Sequence, residues 1–134
     1  MTGPLQGIKV VEFTAIIAGP VSGMPLSDLG ADVIKVEPPW GDPSRHTTTI
    51  GPAESRGFIA HNRGKRSIAV DLTNAGGREV VHQLVREVDV VIANHRPDVP
   101  AKLGIDYLTL SAINPRLIYC DVTAFGRKGP DSTS

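Results

Sequence analysis

Three short segments carry the side chains best suited to hold an anion: Ile16-Ile17-Ala18-Gly19-Pro20, Asn62-Arg63-Gly64-Lys65-Arg66-Ser67-Ile68 and Asn94-His95-Arg96-Pro97. Small residues at Ala18-Gly19-Pro20 let a backbone approach a neighbour closely, and a helix starting there aims free N–H groups at a phosphate. The spacing of Gly19 and Gly23 matches neither a dinucleotide fingerprint nor a Walker loop, so by itself the segment reads first as a plain strand-to-helix turn. Arg63, Lys65 and Arg66 crowd cations in front of an apolar run, where they can reach phosphates at a strand edge or form a solvated basic loop. Asn94 offers a donor and an acceptor to a base or amide, His95 stands beside it, Arg96 can grip a phosphate, and Lys102 follows on the same connection. A further stretch, Phe125-Gly126-Arg127-Lys128-Gly129-Pro130, combines glycines with two cations near the last residue, Ser134.

Each segment borders an apolar run that reads as a strand. Residues 8–13 and 31–37 are rich in Val and Ile, the second ending at Pro38-Pro39. A helix beginning at or after Pro20 and ending at Gly30 joins them, with Pro25 arguing for the later start. Residues 40–57 lack periodicity and read as a long loop. Strand character resumes over 67–72. Thr73 or Asn74 then caps a helix whose apolar face is Val80, Val81, Leu84, Val85 and Val88. Asp89–Ala93 reads as a strand buried on both faces, Pro97 and Pro100 punctuate a loop, a short helix covers 107–113, and a last strand covers 117–122. Strands and helices alternating in this way predict an α/β fold with a parallel, doubly wound sheet and helices on both faces. In such a sheet the carboxyl ends of the strands form one rim, where a phosphorylated cofactor binds.

The chain has 134 residues, 40% of them hydrophobic, enough for one domain with a core. Its 14 basic and 14 acidic residues cancel, so no overall field favours nucleic acid or an anionic membrane, and any anion site is local. The lone cysteine, Cys120, allows no internal disulfide and reads as a small buried hydrophobe; together with the lack of a leader or membrane-span pattern it points to a cytoplasmic protein. His46, His61, His82 and His95 are spaced unlike a metal-ligand set, so no metal is expected.

Taken in order, Gly3-Pro4-Leu5, Ala18-Gly19-Pro20, the run Asp28 to Glu37, Gly64 to Ile68, Asn94-His95-Arg96-Pro97, Leu103-Gly104-Ile105, Asn114 to Tyr119 and Phe125 to Pro130 resemble the family III CoA-transferases, the carnitine dehydratase and bile-acid-inducible group. The resemblance implies that residues 1–134 are the amino-terminal part of a large, Rossmann-like CoA-binding domain, the rest of the fold lying elsewhere. It also implies a homodimer of interlocked subunits acting on acyl-CoA and a carboxylic acid. Coenzyme A would lie along Ile17 and Ala18, the residue after Glu37, the stretch Val70, Asp71, Leu72 and Thr73, the turn Asn94, His95 and Arg96, and Lys102. Pro38 stands where many members carry Arg.

Members of that family attack an acyl-CoA thioester with an aspartate carboxylate, pass through anhydride and aspartyl-CoA intermediates, and deliver CoA to a second carboxylate. By the resemblance this aspartate falls just past Ser134, Asp131 coming too early for it, so this length alone is expected to be inactive. A racemase branch acting on 2-methylacyl-CoA, with a His and an acid, and a non-catalytic CoA-binding fragment are the alternatives.

Overall fold

The computed structural model describes residues 2–52 and 54–134. Its main sheet is five-stranded and wholly parallel: β1 (Lys9–Phe13), β2 (Asp32–Glu37), β5 (Arg66–Ala69), β6 (Val90–Ala93) and β7 (Ile118–Asp121), in the order β5-β2-β1-β6-β7. A small antiparallel hairpin, β3 (Thr49–Gly51) with β4 (Glu54–Ser55), stands apart from it. Chain order runs outward in one direction from β1 to β5, then reverses to run from β1 through β6 to β7. The reversal opens a crevice at the carboxyl ends of β1 and β6, the place where open α/β sheets receive ligands.

Alternation along the strands divides the core. Val11, Phe13, Val36, Val91 and Ala93 pack with Val81, Val85, Val88, Ile105, Leu110 and Leu117. These come largely from α3 (Ala75–Val85), α5 (Tyr107–Ile113) and the segments beside them. Asn74 caps α3, its side-chain oxygen accepting from Gly77 N at 2.8 Å, and Val81 and Val85 turn inward at helical spacing. On the other face Val10, Val33 and Ile92 pack with Leu26 of α1 (Ala18–Asp28).

Helix α1 starts at Ala18, before the position that Pro25 suggests from sequence. Pro20 falls in its first turn, where no intrahelical donor is needed, and the interior Pro25 is accommodated at the cost of one backbone bond. Glycines keep the helix close to the sheet: a Cβ at Gly23 would come within 2.0 Å of Glu12 Oε2, and one at Gly19 within 2.6 Å of Thr14 Cβ.

The region expected to be a long loop is structured. It holds a 3-10 helix (Pro43–His46), the β3/β4 hairpin and the start of α2 (Arg56–Asn62). Tertiary hydrogen bonds order it in place of periodicity, Asp42 Oδ1 accepting from Ile16 N at 3.1 Å and Ser55 Oγ donating to Ser44 O, while Ser55 Oγ also caps α2 by accepting from Phe58 N at 3.0 Å. Between Pro97 and Gly104 a short α4 (Val99–Leu103) forms because Pro100 sits in its first turn. Cys120, expected to be buried, is exposed: it shares the face of Ile92, but α1 packs over β1, β2 and β6 and leaves that face of the edge strand β7 uncovered.

Candidate functional site at the carboxyl rim

A cavity of 300 Å³ opens over the carboxyl ends of β1, β2 and β5. Thr14 and Ala15 line it after β1, Glu37 to Trp40 after β2, Val70 to Thr73 after β5, and His95 after β6. Its lining is mostly apolar, with Trp40 71% exposed at the mouth. Asp71 accepts hydrogen bonds from Thr73 N at 2.9 Å, from Thr73 Oγ1 at 2.6 Å and from Asn74 Nδ2 at 3.1 Å, which folds the turn after β5 back on itself. Those bonds hold the Asp71 carboxyl below its ordinary range. A second depression of 190 Å³ is lined by Asn94, His95, Arg96 and Pro97 and by residues 122–126, so His95 borders both. Burial pushes the His95 imidazole below its usual value, against the nearby Asp121 charge, and His95 Nδ1 is buried without a hydrogen-bond partner among the described residues.

Beneath the rim lies a network of buried charge. Glu12, Lys35 and Asp42 are almost fully enclosed. Lys35 Nζ sits 2.9 Å from Asp42 Oδ2 and 3.7 Å from Glu12 Oε1, and donates to Thr14 O at 2.7 Å. Burial opposes ionisation of Asp42, but the hydrogen bonds and charge of Lys35 and the bonds from Ser44 outweigh it and hold the carboxyl low. Glu37 is treated similarly: burial is overcome by Arg45, which reaches its two oxygens at 2.8 and 2.7 Å, and by Ser67 Oγ at 2.7 Å. The Arg45 guanidinium lies 3.7 Å from the centroid of the Phe58 ring, which fixes its plane.

Several residues expected at a ligand from sequence are placed otherwise. Lys65 is only 2% exposed, and its ammonium donates to Glu12 Oε1 and Pro20 O at 2.8 Å each and to Asn62 Oδ1 at 3.1 Å. With its three protons engaged it cannot serve as a phosphate anchor, and burial lowers its pKa despite Glu12. Arg66 begins β5, at the opposite edge of the parallel sheet, where it pairs with Asp32 at the start of β2. Asn94 is committed too: its Oδ1 accepts from Ala15 N at 2.9 Å and its Nδ2 donates to Ala15 O at 3.0 Å, so its amide shapes the turn after β1.

Val70, Asp71, Leu72, Thr73 and His95 share the main cavity. Ile17 and Ala18, both exposed, open α1 just beyond Thr14 and Ala15, without a side-chain cap on the helix. Arg96, 79% exposed, and Lys102 both pair with Asp98, at 3.6 and 3.1 Å, outside the cavity. Trp40 and Asp42 went unnoticed in the sequence, although Asp42-Pro43-Ser44 has the pattern of a capped helix start. Asp42 Oδ1 indeed accepts from Ser44 N at 2.9 Å.

The model of CoA-transferase family III matches residues 5–134. This chain belongs to that family. It is 46% identical to the succinate–glutarate CoA-transferase of Agrobacterium fabrum over 135 aligned positions, covering 95% of this chain and 34% of that protein. It is 40% identical to the human succinyl-CoA:glutarate CoA-transferase, covering 96% and 30% respectively. Among solved structures, a CAIB/BAIF family protein from Brucella suis superposes with a TM-score of 0.91 at 49% identity, covering 99% of this chain and 36% of that one. The chain therefore spans about a third of the length of the relatives it matches. Among the described residues no helix is long and apolar enough to cross a membrane.

Proposed function

We propose that this chain forms part of the coenzyme A site of a transferase that moves CoA from an acyl-CoA donor to a carboxylic acid acceptor. The observation that carries this reading is the apolar cavity at the carboxyl rim, bounded by Trp40, Leu72 and Leu103 and flanked by the first turn of α1. The apolar lining takes the base and ribose, while Arg96 and Lys102, exposed beyond His95, exchange Asp98 for phosphate oxygens. The uncapped amides of α1 add a partial positive charge beside the crevice. Both relatives named above are called CoA-transferases, which favours transfer over racemisation. On this reading the longer protein is a cytoplasmic homodimer that transfers CoA through an aspartyl intermediate, and residues 1–134 bind CoA without turning it over.

Trp40 is the only tryptophan and lines the cavity, so its emission reports on occupancy. Titration of the chain with CoA is expected to give a saturable change in that emission, which Leu72→Arg abolishes by placing a charged side chain in the apolar lining. A flat response up to millimolar CoA overturns the proposal.

A further inference from the structure

Ile16 occupies a backbone conformation that a β-branched residue avoids: its φ is +70°. Its side chain is 53% exposed, so packing does not compel this geometry. A long-range hydrogen bond is made from this strained position. Ile16 N donates to both carboxylate oxygens of Asp42, at 3.1 and 3.3 Å. Asp42 is in turn immobilised by Lys35 at 2.9 Å and by Ser44 N and Oγ at 2.9 and 2.8 Å. The preceding residue is held from the opposite side, Asn94 bonding both Ala15 N and Ala15 O. The turn after β1 is therefore clamped between side chains of two other loops.

That turn is one wall of the cavity, through Thr14 and Ala15, while Trp40 and Pro43, on either side of Asp42 in the chain, supply a second wall from another loop. Resting on the CoA reading above, we propose that Asp42 is a positioning residue of the CoA site: it holds Ile16 in the left-handed region and so fixes the distance between the two walls and the start of α1. Strain of this kind persists only where surrounding structure overdetermines it, and it marks places where shape matters to function.

The test exploits glycine, which reaches positive φ without a steric penalty. Calorimetric titration with CoA is run on the full chain and on Asp42→Ala, Ile16→Gly, Ile16→Ala and both double variants. Without the clamp, a residue that carries a Cβ at this position leaves the left-handed region and the competent fraction falls, so Asp42→Ala, which removes both acceptor oxygens, is expected alone or with Ile16→Ala to weaken CoA binding about tenfold. In the Ile16→Gly background the same change should weaken it only about twofold. Equal losses in the Gly and Ala backgrounds overturn the proposal, because they would show that Asp42 acts through something other than the backbone of Ile16.

Two readouts do not need CoA. The Ile16 amide should exchange slowly in the native chain and rapidly in Asp42→Ala; free exchange in the native chain overturns the clamp. Should Asp42→Ala fail to fold, melting temperatures in the otherwise native chain decide: Ile16→Gly is expected to melt above Ile16→Ala, and the reverse order overturns the proposal. If the native chain binds no CoA while these two readouts hold, the CoA reading fails and the clamp stands as a structural device only.

Discussion

The two faces of one sheet are built from alternate residues of the same strands, yet they differ in kind. Toward α3 and α5 the strands present Val11, Phe13, Val36 and Val91, a continuous apolar layer. Toward α1 and α2 the same strands begin apolar, with Val10 and Val33, and end charged, with Glu12 opposite Lys35 in register and Glu37 beyond. The apolar face supplies most of the driving force for folding, since burying hydrocarbon is favourable wherever it is done. Buried ion pairs add little net stability over a well-packed apolar alternative, because desolvation consumes most of the attraction. What they add is direction: Lys35, Asp42 and Glu37 fix loops at the rim that an apolar layer would leave free to slide.

Breaking this contrast gives the largest effect first. Lys35→Met keeps the volume but leaves the Asp42 carboxylate buried without its cation, and should cost about 3–5 kcal/mol at neutral pH in denaturant unfolding. On the apolar face Leu110, fully buried, stands for the alternative mechanism. Leu110→Ala should cost about 3 kcal/mol by lost burial and a residual cavity.

The pH dependence separates the two. The Asp42 carboxyl is held below its ordinary value in the native chain, so stability from its pairing with Lys35 is complete above the unfolded value of about 4 and is lost as pH falls through the native one. The deficit of Lys35→Met should therefore shrink in acid while that of Leu110→Ala persists. Parallel pH profiles for the two variants would show that the faces are energetically alike.

How far each face could be read from sequence follows from the same contrast. The apolar layer announces itself by period: Val80, Val81, Leu84 and Val85 mark α3, and Val90 to Ala93 mark a buried strand, so the parallel α/β fold was legible. Charged residues inside strands carry no such signature. Glu12 and Lys35 read as interruptions of apolar runs, and only the paired register with α1 overhead makes them a buried couple. Residues 40–57 carry no repeat because their order comes from Asp42 accepting from Ile16 N and pairing with Lys35, and from Ser55 Oγ donating to Ser44 O. At the rim, His95 is indicated by its place directly after a buried strand and Val70 to Thr73 by the family resemblance alone, and the structure puts all five against one cavity. Asn94 follows the same strand as His95, but its amide turns back to Ala15.

Lys65 and Arg66 bring the comparison down to neighbouring residues. Adjacent in sequence and identical in charge, they are separated by burial: Lys65 reaches under α1 to Glu12, whereas Arg66 lies 65% exposed against Asp32, itself 48% exposed. An exposed pair contributes at most about 1 kcal/mol and commonly less, since water solvates both partners in the unfolded chain as well. Arg66→Ala should therefore shift unfolding by about 0.5 kcal/mol or less. It should also leave CoA affinity unchanged, because β5 runs parallel to its neighbours and carries Arg66 at its amino end, a full strand away from the rim that begins at Val70. A drop in CoA affinity on Arg66→Ala with stability intact would place the phosphates at the amino edge of the sheet. The cation cluster before β5 would then be the ligand site, and the carboxyl rim would lose its role.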